Sequence, residues 1–214
     1  MSRHADEGLE AHILDAAYAL WKRGGEKALT MRAVAKAAKT TTPTVYERFR
    51  DKREILEGLR RRAQQNLFKE LRGAASLDDF PRIYLDFAVT HKHEYELVHL
   101  DWAARLGRNE PRPSFEMLKE RLAADLGGEP ADYSRLALSI AALAHGTATL
   151  LHVDGVPEAV IASLREACLI GFQALIEHAS GRGDGDRRAR GGARAAAGVV
   201  GGGKAARGSG RGAK

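Results

Sequence analysis

Apolar residues recur at helical spacing along most of the chain, from Leu9 to about Ser180. In the first predicted helix they fall at positions i, i+4, i+7 and i+11, which are Leu9, Ile13, Ala16 and Leu20. Residues three and four apart share one face of an α-helix, whereas a half-buried strand needs alternation with a period of two. Almost no alternating β-branched run is present, so the pattern predicts an all-α fold.

Start and stop signals divide this pattern into separate helices. The pair Gly24-Gly25 ends the first helix, and Thr30 is a suitable N-cap for a short helix from Met31 to about Ala38. Asp51, with Glu54 three residues later, forms a predicted capping box that opens a long helix. The remaining helices are predicted over residues 42–49, 51–72, 77–91, 94–106, 114–126, 131–152 and 157–179.

The stretch TTTPTVYERFRDK, residues 40–52, begins with hydroxyl side chains and a proline yet continues as a helix. Two short helices joined by a tight turn form a helix-turn-helix, whose second helix enters the DNA major groove with its N-terminal residues towards the bases. Pro43 in the first turn costs little, because its missing N–H would have no helical partner there. Val45 and Phe49 are four residues apart and are predicted to anchor the inner face. The residues left for the DNA side are Thr42, Pro43, Thr44 and Tyr46.

The segment LTMRAVAKAAKTTTPTVYERFRDKREIL resembles the DNA-binding region of the tetracycline-repressor (TetR) family of transcription regulators. The family pattern ends in Thr-hydrophobe-Tyr-x-x-Phe, then an acidic or polar residue and a lysine, which are here Thr44, Val45, Tyr46, Phe49, Asp51 and Lys52. The resemblance implies a sequence-specific DNA-binding transcriptional regulator that is homodimeric and cytoplasmic. It further implies a repressor that an unidentified small-molecule effector releases from double-stranded operator DNA.

The same resemblance assigns roles to residues of the predicted DNA-binding surface. It implies phosphate contacts from Thr30, Thr41, Tyr46 and Lys52, and base-edge contacts from Thr42, Pro43 and Thr44. The alternative for Thr30 and Thr41 is that they only cap helices. Lys39 stands where the family usually has a turn glycine, and a positive φ there would cost lysine on the order of 1 kcal/mol. Its ammonium group would gain a phosphate contact in exchange.

The segments IYLDFAVTHKHEYELVHLDWA and AALAHGTATLLHVDG resemble one group of C-terminal domains in that family, which carries a Trp-His-Gly signature. This chain keeps His145 and Gly146 and has Ala144 in place of the tryptophan. The likeness predicts a helical ligand-binding and dimerisation domain with an apolar effector pocket, whereas aromatic residues at helical spacing often form only core. The predicted pocket residues are Phe80, Tyr84, Phe87, Tyr95, Trp102, Phe115 and His145.

The last predicted helix is apolar on two faces. One stripe contains Ile161, Leu164, Cys168 and Leu175, and the other contains Val160, Ala167, Ile170 and Ala174. A helix with two apolar faces needs two neighbours. The second neighbour is expected to be the last helix pair of another copy of the chain, in a two-fold four-helix bundle. The alternative is a helix enclosed within one monomer.

Charge is distributed unevenly along the chain. Residues 1–62 carry 14 Lys/Arg and 9 Asp/Glu, residues 63–180 carry 11 and 17, and residues 181–214 carry 9 and 2. A basic N-terminal segment joined to an acidic body favours a polyanionic partner for that segment. The Gly-, Ala- and Arg-rich composition after Ser180 predicts a disordered basic tail.

The predicted divisions of the chain are a DNA-binding domain (1–52), a connecting long helix (53–75), a regulatory and dimerisation domain (76–180) and the tail (181–214).

The sequence contains no recognisable catalytic or metal-binding motif. There is no Gly-x-Ser-x-Gly elbow, phosphate loop or His-Glu-x-x-His pair, so neither an enzyme nor a cofactor is expected. His91 and His93 are two residues apart and would point in different directions on a helix, and His99 does not complete a metal-ligand set. The single cysteine, Cys168, cannot form an internal disulfide.

Two other classes of protein stay open at this point. One is an architectural DNA binder whose basic tail dominates binding, and the other is an all-α enzyme or small-molecule carrier. No run approaches roughly 18 consecutive apolar residues, and the N-terminus MSRHADEGLE is too polar for a secretory signal, so no membrane partner is expected.

Overall fold

The computed structural model describes the backbone of residues 3–107 and 113–199, with side chains for residues 8–102, 104, 107 and 113–180. Within these ranges the chain is all-α, as the periodicity predicts. A 3₁₀ turn at Pro130–Tyr133 precedes the ninth helix. The helices are α1 (Arg3–Ala28), α2 (Met31–Ala37), α3 (Thr42–Arg48), α4 (Lys52–Arg72), α5 (Asp79–Thr90), α6 (Lys92–Val98), α7 (Trp102–Gly107), α8 (Pro113–Leu126), α9 (Ser134–Leu151) and α10 (Glu158–Val199).

Helices α1, α2 and α3 pack together with the start of α4, and these elements are called the head. Its centre is fully buried: Ile13, Val34 and Val45 each have 0% exposure. Gly58 allows α4 to approach α1 closely, because a Cβ atom at this position would lie 2.9 Å from Cδ2 of Leu14. The head therefore has its own apolar core, which fixes the positions of its surface residues.

The predicted helix ends in the head agree with the structure. The α1 helix is interrupted at Gly24 and Gly25, and Gly25 adopts a positive φ of 57° that glycine tolerates without strain. The hydroxyl oxygen of Thr30 accepts from the backbone N–H of Ala33 (3.1 Å), which caps α2. At the start of α4, Asp51 accepts from the N–H of Glu54 (3.0 Å).

Two helix predictions in the body were wrong in detail. The predicted helix over residues 94–106 is divided into α6 and α7, because Asp101 adopts a left-handed φ of 54° that an α-helix cannot continue through. The predicted helix over residues 131–152 begins only at Ser134, after the 3₁₀ turn. The first difference separates the hydrogen-bonding residues of α6 from Trp102 on α7.

Contacts between α1 and α6 join the head to the rest of the chain. The indole Nε1–H of Trp21 donates to the backbone carbonyl of His93 (3.1 Å). The hydroxyl of Tyr18 lies 3.4 Å from the carboxylate of Glu94, whose other oxygen accepts from the amide of Asn66 on α4 (2.8 Å). Burial, and then the negative charge of Glu94, raise the pKa of Tyr18 to about 12. A displacement of α6 would therefore act directly on α1.

Helix α10 is longer than predicted, since it continues through residues 181–199, where the composition predicts a disordered tail. The segment contains several glycines, which disfavour a helix, but its alanines and arginines have high helix propensity and extending an existing helix avoids the cost of nucleation. The rest of the predicted tail, residues 200–214, lies outside the described residues. By contacts, the chain forms two units, residues 1–172 and residues 173–214.

One part of α10 is strongly apolar. Within the described residues, Glu158–Ser180 is long and apolar enough to cross a membrane by length and composition alone, with a mean hydropathy of 1.6. This segment nevertheless contains Arg165, which forms an ion pair with Asp86 of α5. Because only 11% of its most apolar window is buried, most of its apolar surface is exposed in a single chain.

Candidate functional site

Two hydrogen bonds to backbone carbonyls hold the turn between α2 and α3 in one conformation. The N–H of Thr40 donates to the carbonyl of Ala35 (3.0 Å), and Nε2 of His12 on α1 lies 2.9 Å from the carbonyl oxygen of Ala38. Between them, Lys39 has a φ of 52°. The left-handed conformation suspected from the sequence at Lys39 is thus present, and it leaves the lysine side chain exposed.

Replacing Lys39 with glycine is expected to stabilise the protein by about 0.5–1 kcal/mol. A left-handed conformation costs a non-glycine residue roughly 1–2 kcal/mol, which the greater unfolded-state entropy of glycine only partly offsets. Urea denaturation would measure the change. The matched control is Lys36→Gly, an exposed helical position where glycine should instead destabilise by about 1 kcal/mol. A loss of stability in Lys39→Gly would show that the turn does not strain the lysine.

The first turn of α3 presents small polar side chains to solvent. The hydroxyl oxygen of Thr41 caps the helix by accepting from the N–H of Thr44 (3.3 Å), and the two hydroxyl oxygens are 2.8 Å apart. Pro43 lies in the first helical turn and is exposed, as the sequence predicts. The side chain of Tyr46 is 53% exposed. These groups can donate to and accept from phosphates and base edges.

The opposite face of α3 is anchored in the core of the head. Val45 is 0% exposed and Phe49 is 2% exposed, which confirms the two anchors predicted from their spacing. The same helix therefore has a rigid inner face and an accessible outer face. Capping by Thr30 and Thr41 is likewise confirmed, and their phosphate contacts stay a prediction.

Lys52 lies at the start of α4, at one side of this surface. Its Nζ atom forms an ion pair with Oε1 of Glu26 at 2.8 Å, and both side chains are substantially exposed. Exposed pairs contribute little, about 0–1 kcal/mol, so a DNA phosphate can replace the carboxylate at small cost. Thr30 caps α2, Lys39 lies in the turn and Lys52 begins α4, and the contacts of all three with the DNA backbone stay a prediction.

A cavity of about 410 Å³ lies between the helices of the body. Five of the seven predicted pocket residues line it, namely Phe80, Tyr84, Trp102, Phe115 and His145. The other two do not line it: Phe87 is 0% exposed in the core, and Tyr95 lies behind the wall, in contact with the lining residues Tyr84, His99 and His145. The volume falls within the roughly 300–1,000 Å³ typical of small-molecule sites.

Two tyrosine–histidine pairs form the polar part of the cavity wall. The hydroxyl of Tyr84 lies 2.9 Å from Nε2 of His99, and the hydroxyl of Tyr95 lies 2.8 Å from Nδ1 of His145. The centroids of the His99 and His145 imidazole rings are 4.4 Å apart. Burial raises the pKa of both tyrosines and lowers the pKa of His145. All of these shifts favour uncharged side chains at neutral pH.

Some lining residues were missed from the sequence. His99 was considered only as a metal ligand, although it follows Tyr95 by four residues, a spacing that places the two on one face. That spacing could have identified it. Leu138 and Ile140 of α9 also line the cavity, but nothing local distinguishes them from ordinary core residues. Among the described residues, no group of three or more His, Cys, Asp or Glu side chains could hold a metal ion.

The buried inner face and the exposed N-terminal turn of α3 are together typical of a DNA-binding helix-turn-helix protein. Residues 13–59 match the family model described as bacterial regulatory proteins, tetR family. This part of the chain therefore matches the TetR family, and the whole fold is similar to that of a TetR-family transcriptional regulator. The Trp-His-Gly subgroup of its C-terminal part stays a prediction.

Solved structures with the same fold cover most of the chain. A TetR-family transcriptional regulator from Streptomyces coelicolor is 26% identical with a TM-score of 0.58, and the match covers 79% of this chain and 98% of that chain. A regulatory protein that is 20% identical gives a TM-score of 0.61, covering 80% and 98%. A TetR-like regulator from Rhodococcus sp. RHA1, 16% identical, gives 0.52, covering 80% and 94%. No curated protein matches the chain significantly.

Proposed function

We propose that this protein is a cytoplasmic, homodimeric repressor that binds a specific operator and dissociates from it when a small molecule enters the body cavity. The proposal assigns no catalytic role to the chain. The observation that carries it is that the outer face of α3 is exposed, with Tyr46 at 53% exposure, while Val45 and Phe49 anchor the inner face in the core. Such a helix can be inserted into a major groove without disturbing the core.

The exposed surface of α9 and α10 supports the homodimer. On α10, Val160 is 46% exposed and Ile170 is 59% exposed, whereas Cys168 on the other stripe is 1% exposed. On α9, Leu138 and Leu150 are 52% and 49% exposed. Large apolar side chains grouped on two neighbouring helices are typical of an interface, and a symmetric interface covers both copies at once.

The position of α6 supports control by a ligand. One side of this helix carries Glu94 and the His93 carbonyl, which contact α1, and another carries Tyr95, which contacts His145 in the cavity wall. A ligand that moves the wall would thus change the position of the head. Two heads must span half-sites about 34–36 Å apart or a multiple of this, so a small change in spacing prevents both from binding.

Selection from a randomised duplex library tests the DNA-binding part of the proposal. The wild-type protein is expected to select a two-fold symmetric consensus, and Tyr46→Ala should weaken binding to it by roughly ten-fold, as loss of about 1–2 kcal/mol of phosphate and apolar contact implies. The selected duplex would be titrated with each variant at two salt concentrations. Glu47→Ala, the exposed neighbour, is the matched control and should not weaken binding.

The tail provides the outcome that would contradict this proposal. A variant lacking residues 181–214 should select the same consensus, because the head reads the sequence. If no consensus emerged, and if deleting the tail removed most of a strongly salt-dependent affinity, the protein would instead be an architectural DNA binder.

A further inference from the structure

The described residues that line the cavity include no lysine, arginine, aspartate or glutamate. Aromatic rings form much of the wall, through Phe80, Tyr84, Trp102 and Phe115. A charged molecule entering this cavity would lose its hydration and would find no opposite charge on these residues. The described part of the wall therefore offers no counter-charge to an ion of either sign, and its rings favour an uncharged aromatic molecule.

His145 gives the wall one directed hydrogen-bonding group. Its Nδ1 atom contacts the Tyr95 hydroxyl at 2.8 Å. Burial keeps the proton on Tyr95, by raising its pKa, and keeps His145 neutral, by lowering its pKa. A neutral imidazole accepts at one ring nitrogen and donates from the other. Where Tyr95 donates to Nδ1, the imidazole proton is on Nε2, which is then a donor, and where Nδ1 donates to Tyr95, Nε2 is an acceptor.

Other polar groups near His145 have hydrogen-bond partners of their own. Tyr84 and His99 form a pair with each other at 2.9 Å. The hydroxyl of Thr149 donates to the backbone carbonyl of His145 (2.9 Å) and so leaves the ring unaffected. The indole of Trp102 lies beside the imidazole, with ring centroids 6.0 Å apart and 36° between the planes. A planar group of a ligand can lie against this indole while it hydrogen-bonds to the histidine.

We propose that Tyr95 donates to Nδ1 of His145, and that the cavity binds an uncharged, mainly aromatic molecule with one carbonyl-type acceptor, to which the Nε2–H of His145 donates. This inference rests on the proposed function, since the molecule would be the effector, but its binding can be measured without DNA. The cavity volume of about 410 Å³ accommodates a two-ring aromatic molecule.

Four naphthalene derivatives of similar size provide the test. They are 2-acetylnaphthalene (uncharged, with an acceptor), 2-ethylnaphthalene (no acceptor), 2-naphthoate (anionic) and 1-(2-naphthyl)ethylammonium (cationic). Isothermal titration calorimetry on the full chain would give a dissociation constant for each. The ketone is expected to bind roughly ten-fold more tightly than the hydrocarbon, because the hydrocarbon leaves a buried donor unpaired. Both ions should bind more weakly than the hydrocarbon.

Three variants assign the preference to His145. His145→Leu should abolish the difference between the ketone and the hydrocarbon, and His145→Gln, whose amide can place a donor near the position of Nε2, should restore part of it. His93→Leu removes a histidine that does not line the cavity and should leave all four affinities unchanged. Circular dichroism would verify that each variant is folded, and the glutamine variant provides the readout if the leucine variant is not.

The outcomes separate this inference from the proposed function. Equal binding of ketone and hydrocarbon, tightest binding of either ion, or no binding of any probe would overturn the inference about the ligand. A ketone preference that depends on His145 would support it. If that preference were found but the ketone left operator affinity unchanged, the inference about the ligand would be supported. The proposal that such a ligand releases the protein from its operator would be rejected.

Discussion

Replacing Ile170 with aspartate is expected to convert the proposed dimer into a folded monomer and to lower operator affinity by roughly 10²- to 10⁴-fold. Ile170 is 59% exposed in the single chain, so the substitution has little to disturb within a monomer. In a two-fold interface the carboxylate would be buried twice without a counter-charge, which costs several kcal/mol for each ion. The affinity falls because two linked heads gain about that factor from effective concentration.

Analytical ultracentrifugation would measure the oligomeric state of this variant, and titration of the selected operator duplex would measure its affinity. The matched control is Ile170→Leu, which keeps an apolar side chain of equal volume and should stay dimeric. Circular dichroism should show the same helix content in both. A dimer that persists in Ile170→Asp at the wild-type concentration would show that α10 is not the interface.

Replacing Phe49 with alanine is expected to lower the free energy of unfolding by roughly 3–5 kcal/mol. Phe49 is 2% exposed and follows directly after α3, and its backbone N–H donates to the carbonyl of Val45 (2.9 Å). Truncation leaves a cavity under the recognition helix, which the surrounding helices can fill only in part. Because domains are stable by only about 5–15 kcal/mol, the loss would unfold a measurable fraction of heads.

Urea denaturation followed by circular dichroism would measure this change. The matched control is Tyr46→Ala, an aromatic truncation three residues earlier at an exposed position, whose unfolding free energy should stay within about 0.5 kcal/mol of wild type. The two variants should therefore differ in the property that is lost. Tyr46→Ala should lose DNA affinity and keep its stability, whereas Phe49→Ala should lose stability. A loss below about 1 kcal/mol in Phe49→Ala would contradict its role as the anchor of α3.

Much of the head could be predicted because the relevant signals are local. An N-cap needs only a short polar side chain and a helix that follows, so Thr30, Thr41 and Asp51 could be identified within a few residues of their hydrogen-bond donors. Lys39 was identified because the resemblance places a turn glycine at this position, and its φ of 52° is indeed positive. The exposed second stripe of α10, with Ile170, likewise followed from periodicity.

The candidate effector site was predicted only in part. Aromatic residues such as Phe80 and Trp102 were found because large rings in a helical domain tend to line its interior, and the same rule placed Phe87 in the cavity although it belongs to the core. Which rings face an empty volume depends on how tightly neighbouring helices pack, and composition does not contain that information. The break at Asp101 was missed because aspartate adopts a positive φ only occasionally, and the helical spacing of its apolar neighbours continues across it.

The sequence by itself determined the all-α fold, the helix-turn-helix and the exposed side of α3, because helix period, capping and proline geometry act over a few residues. Only the tertiary structure decided the contacts between distant residues. Tyr95 and His145 are 50 residues apart and Trp21 and His93 are 72 apart, yet these pairs define the polar wall of the cavity and the link from α6 to the head. Such pairs form when whole helices dock, and the free energy of docking is shared among many side chains, so no local pattern specifies them.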